Sequence, residues 1–98
     1  MIKPITSEEF HAKCHYRGAH GFHAEHEWWS SESGHVLGVV IRDKIDNDWS
    51  AVLVGADQQG EYRAFTMNHS MPDIAAARGW LHEAMGKAIR SGQTVFPQ

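Results

Sequence analysis

The chain has 98 residues, 42% of them hydrophobic, enough for one domain with a small core and too few for two. A formal charge of −3 argues against tight binding to a phosphate backbone, and a lone Cys excludes an internal disulfide. No apolar run has membrane-spanning length and the N-terminus lacks the basic-then-apolar order of a leader, so the expected compartment is the cytoplasm, with no membrane partner.

The first helix signal is local and double. Thr6 and Glu9 have capping-box spacing, and Ile5 and Phe10 occupy the two positions of a hydrophobic staple. The helix is expected over residues 7–17, ending at Gly18. Phe10 and Cys14 share one stripe of it, and His11 and His15 a neighbouring one. Residues 18–26, rich in Gly and His, read as a loop.

From Trp28 the pattern changes to short strands and tight turns. Trp28-Trp29 opens a strand that turns at residues 31–34. The run over 36–41 is apolar without alternation, which fits a central strand covered on both faces, or one covered on one face with a partner site on the other. Gly38 within it implies a bulge or a close neighbour. An acidic loop, 43–48, leads to a strand over 49–56. A Gly-containing turn at 57–60 then gives a hairpin to a strand over 62–67.

Residues 68–72 read as a connection. Ser70 is the expected cap of a second helix, with Pro72 in its first turn and Asp73 three residues after the cap. Ile74, Ala77, Leu81, Ala84 or Met85, and Ala88 recur at helical spacing, and Gly92 ends the helix. Residues 93–98 read as a loose tail. The expected fold is therefore a single α+β domain over 1–98. Its order is helix, antiparallel meander of three to four strands, helix, with both helices packed on one face.

Candidate chemistry is sparse. His11, Cys14, His15, His20, His23 and His26 are zinc-type donors, and His11 and His15 at i and i+4 can reach one metal from a helix. No zinc-finger spacing is matched, so solvated or structural histidines are the favoured reading and zinc the alternative. Asp43, Asp46 and Asp48 lack the Gly and the distal Glu of a calcium loop. An acidic turn whose carboxylates bond the local backbone is the simpler account. Nucleophilic catalysis needs a Ser or Cys with a base nearby. Cys14 and His15 are adjacent, but helical neighbours point about 100° apart. No phosphate loop or carboxylate pair is present, so the chain reads as a non-enzyme.

Adjacent residues of a strand face opposite ways, so Trp28 and Trp29 cannot share one core face. One indole must be met by a helix, a loop, a charged stem or a partner protein. The candidate partner-binding residues are accordingly Trp28, Trp29, Trp49, Asp46 and Asp48. The leading reading is a small protein-binding module acting on a larger partner or on a second copy of itself, through an indole or a sheet edge. Weak nucleic-acid binding through the C-terminal helix, with Arg78, Lys87 and Arg90, is a further alternative.

Trp28-Trp29, Leu37-Gly38, Asp43, Asp46, Asp48-Trp49, Gly55, Gly60 and Arg63-Ala64-Phe65 together resemble a recurrent pattern in short uncharacterised bacterial and prophage-type proteins. The pattern covers the central third to half of the chain. In size, acidity and element order the chain is similar in kind to small phage-encoded inhibitors such as anti-CRISPR proteins. That likeness implies a phage or mobile-element protein that inhibits or modulates a larger partner.

Overall fold

The computed structural model describes residues 1–14 and 24–96. It is an α+β fold with one five-stranded antiparallel sheet and two helices. The elements are β1 (Ile2–Ile5), α1 (Ser7–Lys13), β2 (Ala24–Ser31), β3 (Val36–Asp43), β4 (Trp49–Ala56), β5 (Tyr62–Met71) and α2 (Ile74–Arg90). The strands lie in sequence order, β1-β2-β3-β4-β5, so the sheet is a plain meander with β1 and β5 at its edges. Among the described residues no helix is long and apolar enough to cross a membrane.

The central hairpin β3–β4 dictates the layering. Val36, Val40, Ala51 and Leu53 project to one face and pack with Ala77, Leu81, Met85 and Ala88 of α2. Leu37, Val39, Val52 and Val54 project to the other and pack with Phe10 and Cys14, from α1 and its C-cap. The helices therefore lie on opposite faces of the sheet, not on one. An apolar run with both side-chain sets buried needs a cover on each side.

Local signals account for the helix ends. Thr6 Oγ1 accepts from the Glu9 amide at 3.1 Å, and Glu9 Oε1 accepts from the Thr6 amide at 3.0 Å. Ile5 and Phe10 join the same apolar cluster, completing the staple. α1 stops at Lys13, short of the expected residue 17, because Cys14 leaves in extended conformation. Lys13 Nζ and Tyr62 Oη each donate to the Gly34 carbonyl at 3.0 Å, tying this helix end to the β2–β3 turn.

Further expectations are corrected. β2 starts at Ala24, inside the stretch read as a loop over 18–26, whose residues 18–23 lie outside the described residues. β1 adds a strand where none was expected: residues 2–5 pair with 31–28. β5 runs on to Met71 through the stretch read as a connection. It carries two bulges against β4, and Ser70 sits in the second at φ 59°. Ser70 therefore caps nothing, and Asp73 is the N-cap of α2, accepting from the Ala76 amide at 2.8 Å. The tail read as loose is held at Phe96, which is buried, donates its amide to the Ala56 carbonyl at 2.8 Å and stacks on Phe65.

Two glycines admit close neighbours. A Cβ on Gly38 would lie 2.7 Å from Leu81, and one on Gly55 would lie 2.2 Å from the Phe96 ring. At the β4–β5 turn, buried Asp57 accepts from the amides of Gln59 and Glu61 and from Arg63 Nε at 2.7 Å. Burial alone would raise its pKa. The Glu61 amide, the Arg63 guanidinium and the Gln59 amide outweigh that and hold the carboxyl below its ordinary range.

Gly38→Ala should destabilise by about 1–3 kcal/mol in denaturant unfolding, since Leu81 is fully buried and must be displaced. A carboxyl with a lowered folded pKa contributes stability above its unfolded value, and that contribution fades as pH falls through the folded value. Asp57→Asn should therefore be less stable than the parent at pH 7. The gap should close below about pH 4, as read from unfolding midpoints across pH.

Candidate functional site

Trp28 and Trp29 project to opposite faces, as β geometry requires, and each meets a helix of its own chain. Trp28 packs under α1, its ring centroid 4.7 Å from Phe10 and 5.0 Å from His11. His26 stacks on the same indole at 5.0 Å, with 8° between planes. Trp29 packs under α2 against His82, at 4.5 Å and 79°. Both indoles are half-buried. Trp49 is half-buried on the α2 face, with the Arg42 guanidinium 5.9 Å from its ring centroid.

Beside Trp29, Glu27 of β2 takes a two-pronged ion pair from Arg78 of α2, whose Nε lies 2.7 Å from Oε1. Arg78 holds the Glu27 carboxyl below its ordinary pKa against the opposing effect of burial. The Trp29 indole N–H leans the same way without reaching hydrogen-bond geometry.

The zinc-type donors divide. His11 Nδ1 lies 2.8 Å from the Ser7 carbonyl, which accepts its proton and fixes that tautomer. Cys14 is buried, with Sγ donating to the Tyr62 carbonyl at 3.5 Å, as a small core residue does. His26 is spent on the face of Trp28. His15, His20 and His23 lie outside the described residues. Among the described residues no group of three or more His, Cys, Asp or Glu is placed to hold a metal ion.

The acidic residues do form a shaped surface. A groove of about 330 Å³ opens between the β3–β4 loop and β5. Asp43, Asp46 and Asp48 line one side and His69 and Ser70 the other. Ile41, Val52 and Met67 supply apolar lining. Asp43 builds the loop itself: its Oδ1 accepts from the Ile45 amide at 2.8 Å, and Asn47 sits at φ 60°. Asp46 and Asp48 are exposed, and Ile45 at the tip is 70% exposed. The groove thus offers carboxylates above an apolar floor, a setting that accepts a cation on an aliphatic stem.

The sheet register brings together one pair that the sequence leaves 19 residues apart. Ser50 Oγ lies 3.3 Å from His69 Nδ1. Only the β4–β5 pairing could reveal it. His69 is exposed, and among the described residues no carboxylate bonds its other ring nitrogen, so the pair lacks the oriented base and the excluded water of nucleophilic catalysis.

The groove borders β5, whose ten residues form one edge of the sheet. The two edges differ. β1 is four residues long and carries Lys3 and Pro4, both of which block strand addition. β5 has neither Lys nor Pro, and Met67 on it is 44% exposed. Its bulges bend the strand at Phe65 and Ser70 and leave the segment 66–68 in regular register.

No protein-family model matches the chain, and comparison with curated proteins and with solved structures gives no match.

Because each indole is clamped by a helix of its own chain, Trp28→Ala and Trp29→Ala should each cost about 2 kcal/mol or more in denaturant unfolding. A free surface anchor would change stability by under about 0.5 kcal/mol.

Proposed function

We propose that the protein is a non-enzymatic binding module that modulates a larger protein partner. The contact is the β5 edge and the acidic groove beside it. The observation that supports this reading is the inequality of the sheet edges: a short β1 guarded by Lys3 and Pro4, and a ten-residue β5 whose Arg63 and two bulges lie outside the regular segment 66–68.

An open edge presents unpaired backbone donors and acceptors, and an added strand satisfies them. Main-chain pairing then supplies affinity, and side chains beside the edge supply selectivity. Here those are Met67 and His69 on the strand, Asp46 and Asp48 across the groove, and Trp49 at the same end of the sheet. The partner segment that fits is extended and carries a Lys or Arg. Its stem lies on Ile41 and Met67 and its charge meets Asp46 and Asp48. On this reading Trp28 and Trp29 hold the scaffold together, with helices on both sides of the sheet.

Selection of random peptides on the immobilised protein tests the proposal. Enriched sequences should alternate apolar residues with Lys or Arg. Met67→Lys should weaken them at least about tenfold while changing folding stability by under about 0.5 kcal/mol. The double change Asp46→Asn with Asp48→Asn should flatten the salt dependence of binding. Peptides whose affinity is indifferent to all three changes would place the contact elsewhere.

A further inference from the structure

His82 lies on α2 one turn after Arg78, and its ring meets the Trp29 indole edge-on at 4.5 Å. Its Nε2 is buried and has no hydrogen-bond partner among the described residues. Trp29 in turn sits between Pro4 of β1 and Gly38 of β3 in the sheet register, so this contact joins α2 to the three strands on the β1 side. The charged groups facing His82 among the described residues are Arg78 from its own helix and Glu27 from β2. β1 contributes Ile2 to the same apolar cluster.

We propose that His82 is a proton-operated latch: neutral, it seats α2 on Trp29, and protonated, it lets the contact between α2 and β2 open and uncovers the indole. The proposal is independent of the β5 reading, since it concerns the other face and the other side of the sheet.

The chemistry follows from counting charges. A neutral imidazole can carry its proton on Nδ1 and turn a bare lone pair into the apolar contact. Protonation puts a hydrogen on buried Nε2, where the described residues offer no acceptor. It also sets a second cation one helical turn from Arg78. Among the described residues Glu27 is the one carboxylate facing both, and Arg78 already holds both of its oxygens. If Glu27 stays, the imidazolium is unpaired; if Glu27 turns to His82, Arg78 loses its partner. The indole π-system offers a cation some compensation but does not restore its hydration.

Burial holds the His82 pKa below its ordinary value, with Arg78 acting in the same direction and Glu27 against it. A base with a lowered folded pKa contributes its full stability above the unfolded value, near 6.5. That contribution is lost as pH falls toward the folded value. In this window each pH unit should raise the opening equilibrium of α2 by up to about tenfold, and above it the equilibrium should be flat.

The test is amide hydrogen exchange of the full chain between pH 7.5 and 5, corrected for intrinsic exchange chemistry, with the His82 ring titration followed by NMR. The expected result is a His82 midpoint below 6.5, a matching rise in α2 opening, and a Trp29 side-chain signal that shifts with the same midpoint. His82→Gln and His82→Leu should each give pH-independent opening over this range, so failure of one to fold leaves the other. Persistence of the slope in either variant, or a wild-type His82 titration with no change in α2 opening or in Trp29, would overturn the proposal.

Discussion

The double-sided burial of β3 and β4 is the constraint from which the remaining architecture follows. Val36, Val40, Ala51 and Leu53 on one side and Leu37, Val39, Val52 and Val54 on the other must all leave water. Burying that much aliphatic surface is the main favourable term available to a chain this short. It requires two covers, and the covers are unequal. α2 has 17 residues and spans its face with a regular apolar stripe. α1 has seven, too few to be stable alone. It persists because its capping box, its staple and Phe10 all act within two turns, and because Lys13 ties its end to the β2–β3 turn.

The Trp28-Trp29 pair is where this constraint becomes visible in the sequence. Opposite projection of adjacent residues demands two separate environments. Here the chain supplies both itself, from α1 and from α2. The indoles rivet each helix to β2, and the Glu27–Arg78 pair reinforces the α2 side across 51 residues of sequence. Exposed ion pairs contribute little alone, but this one stands beside a half-buried indole and fixes where the helix crosses the strand.

Much of what local chemistry encodes was legible in the sequence, the α2 cap at Asp73 excepted, and what strand pairing alone extends was not. The N-terminus of α1 was readable because its capping residues signal to each other over three positions. The stripe of α2 was readable because Ala77, Leu81, Met85 and Ala88 recur at helical period. β1 was hidden: four residues including Pro4 carry no strand signal, and their conformation comes from pairing with 28–31. The end of β5 was hidden for a related reason. Asn68, His69 and Ser70 have the composition of a turn, and a bulge lets the ladder continue through them to Met71. The unalternating 36–41 run allowed either two covers or one cover and a partner site, and the packing of α1 and α2 on opposite faces decides for two covers. The acidic loop announced one wall of the groove, whereas His69 reached the other through a register that no spacing encodes.

Cys14 gives the molecule a reporter of its own motions. The thiol is the chain's only one and is fully buried where α1 ends. An alkylating reagent can reach it only when that part of the core parts from the sheet, so the rate of modification clocks such excursions without any introduced label. Because α2 lies on the far side of the sheet, the same rate separates events beneath the short helix from those beneath the long one.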